Sequence, residues 1–167
     1  MKEIDILQLP KSIFELIGKD WMLIGAKDSG GRVNAMTASW GGMGVLWGKN
    51  VAFVFVRPQR FTRQLIDDAS TMSISFFGEE YRKMLNYMGK ASGKNEDKIE
   101  KSNLDVEIVD GAPVFAQSNM TMVCKKMYCQ QLDPKCFVDK KVESKWYILK
   151  DFHYMYVVEI EKILQNN

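Results

Sequence analysis

NAMTASWGGMGVLWGKNVAFVFVRPQRFT, residues 34–62, is the stretch that organises the chain. Small hydroxyl residues, Thr37 and Ser39, stand beside the flat ring of Trp40. A glycine-rich loop is expected next, and then a wholly apolar strand, Val51 to Val56, buried on both faces. Arg57, Arg60 and Arg63 follow at a spacing of three around Pro58. One local unit thus offers a wall for a planar ring, donors for ring heteroatoms and cations for an anion. Those are the requirements of a phosphorylated aromatic ligand.

Working outward, the 167 residues read as one domain over positions 1–167, large enough to bury about 70% of the unfolded surface. The net charge of +2, from 23 basic and 21 acidic residues, gives no reason to expect a nucleic-acid partner. MKEIDILQLPKS at the start mixes acids with apolar residues. It reads as neither a signal peptide nor a membrane span, so a cytoplasmic protein away from the membrane is expected. Cys124, Cys129 and Cys136 are read as ordinary reduced thiols, matching no zinc spacing. With His153 as the sole imidazole, no metal site is expected.

Before the central stretch, Pro10 to Gly18 reads as a short helix with Ile13, Phe14 and Ile17 on one face. Trp21 to Ala26 and Arg32 to Ala38 read as a hairpin turning at Lys27 to Gly31. After it, Gln59 to Asp68 reads as a helix, and Thr71 to Phe76 alternates as a half-buried strand. Tyr81, Met84, Leu85 and Met88 form the stripe of a helix over Glu79 to Met88. Asn95 is expected to cap a short charged helix ending at Lys101. Val106 to Val109, Asn119 to Gln130 and Tyr154 to Ile160 read as strands, with a charged tail after the last. Many strands, few helices and no βαβ rhythm predict a mainly β fold, an antiparallel barrel with helices outside it.

Several motifs fail. Gly42-Met43-Gly44 lacks the last glycine of a dinucleotide fingerprint and precedes a strand instead of a helix. Gly48-Lys49-Asn50 lacks the first glycine and the hydroxyl residue of a P-loop. Three segments remain. Thr37 to Trp40 lets a flat ligand approach the backbone. Arg57 to Thr62 joins guanidiniums to a helix start suited to a phosphate. Lys90 to Lys98 sets a glycine loop among lysines, again suited to an anion or a ring carbonyl. Each segment alone is equally compatible with a polar, solvated surface.

Together, the order and wording of these blocks resemble the flavin reductase-like, FMN-binding split-barrel family, in particular its flavoredoxin-type branch. NAMTASW, VAFVFVRPQRFT, SISFF, the Tyr81–Gly89 helix with KASGKNEDK, the LDP at Leu132 and DFHYMYVVEI carry the likeness over nearly the whole chain. The resemblance implies a homodimer of six-stranded Greek-key barrels, each holding FMN non-covalently near the subunit interface. It implies that Thr37, Ala38, Ser39 and Trp40 line the isoalloxazine, and that Arg57, Arg60, Phe61 and Thr62 hold the ribityl and phosphate groups. Lys90, Ala91, Ser92 and Gly93 would complete the site, with Asp97 and Lys98 as secondary candidates.

The function implied is a flavoprotein oxidoreductase passing electrons through FMN, with NAD(P)H or a reduced redox protein as donor. The alternatives are an NAD(P)H:flavin oxidoreductase that releases reduced flavin to a partner, and a non-enzymatic FMN-binding module. Nicotinamide-using members often carry Gly-Asp-His near the last strand, where this chain has Asp151-Phe152-His153. His153 is therefore a candidate catalytic residue, and direct use of NAD(P)H is less firmly implied.

Overall fold

The computed structural model describes residues 1–166. After β1 (Lys2–Ile4), the chain winds through a π-helix at Glu15–Asp20, and Trp21 leaves it with φ of 72°. This replaces the helix expected over Pro10 to Gly18. The wider winding turns Leu16 and Ile17 into the core and leaves Phe14 89% exposed. β2 (Met22–Lys27) and β3 (Val33–Ala38) form the expected hairpin, its turn held by the Asp28 carboxylate accepting from the Arg32 N–H at 2.8 Å.

The glycine-rich stretch expected as a loop is a strand, β4 (Gly41–Leu46), hairpinned onto β5 (Lys49–Val56). Its glycines serve close approach: a Cβ on Gly41 would lie 2.8 Å from the Phe53 carbonyl oxygen. Trp47 and Gly48 both take positive φ, 55° and 69°, as a two-residue hairpin turn of the right twist demands. β5 has Val54 and Val56 buried, whereas Phe53 and Phe55 are only partly so. Phe55 is open because it faces a cavity.

α1 (Phe61–Asp68) starts after Arg60, which sits extended at its N-cap; β6 (Thr71–Phe76) and α2 (Arg82–Lys90) follow. Asp97, and not Asn95, caps α3 (Lys98–Lys101) by accepting from the N–H groups of Ile99 and Glu100. β7 (Val106–Val109) and β8 (Ala112–Phe115) make a separate hairpin. β9 (Met120–Gln131) precedes α4 (Lys140–Trp146), and β10 (Tyr154–Gln165) completes the described chain. The charged tail expected after Ile160 is strand, because its backbone pairs with β9 on one side and β1 on the other.

The main sheet is antiparallel in the order β3-β2-β6-β9-β10-β5-β4, with β1 added along β10. β3 and β4 lie at opposite ends of that order, yet only Ser39 and Trp40 separate them in the chain. The sheet must therefore curl round until its ends meet, which makes the expected barrel. Among the described residues it has eight strands, six of the seven read from the sequence plus β1 and β4; the seventh, Val106–Val109, is β7 of the separate hairpin.

Met22, Ile24, Val54, Ile74, Met122 and Tyr156 pack in the central core. Leu23, Ala35, Leu85, Met88 and Phe115 form a second cluster that fixes α2 to the other face of β2 and β3. With both faces covered, β6 is buried from Met72 to Phe76 instead of half-buried; Ser73 and Ser75 are fully inaccessible. Ser75 Oγ pairs with Thr121 Oγ1 at 2.8 Å, whereas Ser73 Oγ has no partner among the described residues. Ser73→Ala should therefore leave stability unchanged or raise it by up to about 1 kcal/mol, checked by urea unfolding. Among the described residues no helix is long and apolar enough to cross a membrane.

Candidate ligand site

Two cavities open side by side where β3 bends into β4, and Arg60 lines both. The first, of about 250 Å³, has Thr37, Ala38, Ser39 and Trp40 along one wall. Phe55 and His153 lie across from them, and Arg57, Gly89 and Trp146 line the remainder. The second, of about 210 Å³, lies between the start of α1 (Phe61, Thr62) and the loop after α2 (Lys90, Ala91, Ser92, Gly93), with Lys98 also lining it. Every residue singled out in the sequence for the site lines one cavity or the other except two: Asp97, whose carboxylate is engaged in capping α3, and Arg63, which pairs with Asp67 at 3.1 Å instead.

The electrostatics of the second cavity are unbalanced. Arg60 donates to the carbonyls of Gly89 at 2.7 Å and Met88 at 3.2 Å, the C-terminal end of α2, where a cation is favoured. Lys98 is 2% exposed, and its Nζ donates to the Ala35 and Met88 carbonyls at 2.6 and 3.1 Å. Among the described residues no carboxylate bonds to either cation. Burial, and then the charge of Arg60, push the Lys98 ammonium down to about 8. Burial also lowers the Arg60 guanidinium from its ordinary value. Two cations sharing one carbonyl, beside the unpaired N–H groups of a helix start, fit a phosphate dianion.

The walls of this cavity are fixed. Asn34 Nδ2 donates to the buried Thr62 Oγ1 at 2.9 Å, and Arg32 donates to the Gly93 carbonyl. A Cβ on Gly93 would lie 2.7 Å from Asn34 Cγ, so the loop closes this tightly only with glycine. Lys90 stands exposed at the rim.

Arg57 is differently employed. It pairs with Asp151 at 2.6 Å, donates to the Trp146 carbonyl at 3.1 Å, and lines the first cavity only. Its charge is already neutralised, which leaves Arg60 and Lys98 as the lining cations with no carboxylate bonded to them among the described residues. The Thr37 hydroxyl donates to the Leu85 carbonyl at 2.6 Å, which ties β3 to α2.

His153 is buried with Nδ1 2.9 Å from the Tyr147 hydroxyl, its ring centroid 5.3 Å from that of Trp40. Burial, then nearby Arg57, lower it to about 4, so the ring is neutral at ordinary pH. The unfolded chain binds the extra proton between about 6.5 and 4, so stability falls as pH drops through that window. His153→Gln should flatten this acid limb, measured as melting temperature against pH.

Sequence reasoning missed Trp146, which meets Trp40 edge to face at 4.8 Å, because Lys140–Trp146 shows no apolar stripe and buries no residue. It also missed Phe55 and Asn34, both inside the central stretch: one reads as core and the other as strand end.

An antiparallel barrel therefore carries an aromatic-walled cavity beside a cationic one, the two sharing Arg60. The match to the model of the flavin reductase like domain spans residues 15–163, and the chain belongs to that family of flavin-linked redox proteins. The fold is similar to the flavoredoxin of Methanosarcina acetivorans, with a TM-score of 0.72 and 20% identity, over 100% of this chain and 77% of that one. It is also similar to the flavoredoxin of Desulfovibrio vulgaris (Miyazaki F), at 0.71 and 21%, over 100% and 78%. The NADH:FAD oxidoreductase SgcE6 of Streptomyces globisporus C-1027 is similar at 0.66 and 13%, over 88% and 75%. Comparison with curated protein sequences gives no match.

Proposed function

We propose that this chain is an FMN-binding oxidoreductase that passes electrons through a non-covalently held flavin. The observation that carries the proposal is the Arg60–Lys98 pair, Lys98 buried and Arg60 partly so, with no carboxylate bonded to either among the described residues, one cavity away from an aromatic-walled slot. Arg60, Lys98 and the α1 start would hold the phosphate, with Thr62 and Ser92 beside it. Trp40 and the Thr37–Ser39 backbone would hold the ring. Bound there, the flavin supplies the two-electron chemistry, while the protein orients it and tunes its potential.

FMN is favoured over FAD because the cationic cavity has little to offer an adenine. Phe61 is the one aromatic ring lining it among the described residues, and Arg32 already stacks on that ring at 4.5 Å. The likeness to flavoredoxins supports the same reading.

A homodimer is part of the proposal, supported by the exposed Val45, Trp47 and Tyr128, the last two with ring centroids 6.3 Å apart. The donor is NAD(P)H or a reduced redox protein, and the three free cysteines suit a cytoplasmic setting.

The test is spectroscopic. Purified protein should be yellow, keep FMN through gel filtration, and bleach anaerobically with NADH, NADPH or reduced ferredoxin. Failure to take up FMN contradicts the proposal; uptake without bleaching by any donor leaves only a binding module.

A further inference from the structure

His153 is the chain's single imidazole, and its two ring nitrogens stand in different surroundings. Nδ1 lies 2.9 Å from the hydroxyl of Tyr147, a residue only 4% exposed. Nε2 bonds to no described residue, yet it is not among the sealed polar atoms that lack a partner. The imidazole lines the ring slot with Ser39, Trp40 and Phe55. Nε2 is therefore the nitrogen that a ligand in the slot can reach.

A carboxylate is a common orienting partner of a functional histidine; it holds Nδ1–H and leaves Nε2 as a base. Here the nearby acid, Asp151, is already engaged, accepting from Arg57 at 2.6 Å and from Gln59 at 2.8 Å. A phenol stands in its place, and a phenol reverses the polarity. Its O–H is more acidic than the N–H of a neutral imidazole, which favours O–H donating to a bare Nδ1. The opposite arrangement, with Nδ1–H donating to the phenol oxygen, would leave a buried O–H with no acceptor among the described residues. Burial raises the Tyr147 phenol above its ordinary value, so the O–H is kept at neutral pH. The pair is braced, since Tyr147 stacks on Phe152 at 4.8 Å and meets the His153 ring edge to face at 5.6 Å.

We propose that Tyr147 is a positioning residue that locks His153 in the Nε2–H tautomer, so that the ring slot is offered a neutral hydrogen-bond donor at this point and not a base. The chemistry selected is a ligand edge carrying an acceptor, either a carbonyl oxygen or an unprotonated ring nitrogen. The inference rests on the flavin reading for its redox meaning: a donor at the edge of a flavin favours the electron-richer, reduced ring.

With one histidine in the chain, 15N-labelled protein shows a single pair of imidazole nitrogens by long-range 1H–15N correlation. In unliganded protein at neutral pH, Nε2 should show a pyrrole-type shift. Nδ1 should show a pyridine-type shift, moved upfield by the hydrogen bond from the phenol. Tyr147→Phe keeps the ring and its stacking and removes only the hydroxyl, so Nδ1 should move downfield toward a free pyridine-type nitrogen. Adding FMN to the unsubstituted protein should move Nε2 and leave Nδ1 in place. In FMN-loaded protein, Tyr147→Phe and His153→Leu should both lower the flavin midpoint potential. His153→Gln, whose amide can still donate, should lower it less than His153→Leu.

A protonated Nδ1, an Nδ1 shift that Tyr147→Phe leaves unmoved, an Nε2 that bound FMN does not perturb, or a potential unchanged in Tyr147→Phe overturns the inference. The spectra of the unsubstituted protein decide the tautomer even where a variant fails to fold. The Nε2–H form in a chain that takes up no FMN would sink the flavin reading and leave the tautomer standing; FMN uptake with the opposite tautomer does the reverse.

Discussion

Lys98→Met is expected to weaken FMN binding by about 30- to 100-fold, corresponding to the ~2–3 kcal/mol of a charge-assisted hydrogen bond to phosphate. Methionine is unbranched and refills the buried volume. Stability of the unliganded protein should change little, because removing a buried ammonium offsets the two hydrogen bonds lost at Ala35 and Met88. Binding and folding are thereby separated in one variant.

A pH dependence accompanies it. In the free protein Lys98 titrates near 8, below its ordinary 10.5, so FMN affinity should decline as pH rises above about 8. Over the same window the unfolded chain binds more protons than the folded one, so the unliganded protein should gain stability. Lys98→Met should lose both trends, measured by FMN fluorescence titration and thermal melts between pH 7 and 10.

Gly93→Ala is the second large effect. The added Cβ meets the buried Asn34 side chain, whose hydrogen bond holds Thr62 at the start of α1. Either Asn34 turns away and that bond breaks, or the loop after α2 moves off Arg32 and widens the cavity. Both routes should cost about 1–3 kcal/mol of stability and weaken FMN at least tenfold. Melting temperature and FMN titration report the two effects. Asn34→Ala should reproduce much of the binding loss, since it removes the same brace without a clash.

Most of the barrel was legible from period-two patterning, and six of its eight strands are where alternation and apolar runs place them. The failures have physical causes. Gly41 to Leu46 reads as loop because glycine usually signals freedom, yet here it permits close strand approach. Beyond Ile160 the charges suggested a tail, but backbone pairing on both sides makes strand despite them. Ser73 and Ser75 imitate a solvent face that the β7–β8 hairpin covers from far along the chain.

The site was legible in a different way. Trp40, Arg60 and Ser92 come from separate segments, and no local pattern says that they meet; the joint wording of the blocks suggested it. They do meet, through the two cavities joined at Arg60. What no pattern separated was Arg57 from Arg60. Only the fold brings Asp151 against one and leaves the other beside Lys98 without an anion.

The account turns on that pair of cations reading a phosphate. Titrating the unliganded protein with FMN and with riboflavin, which carries the same ring without phosphate, tests it most directly by flavin fluorescence quenching. The account predicts one FMN per chain, bound at least about 100-fold more tightly than riboflavin. Equal affinity for the two flavins, or no quenching by either, would contradict it.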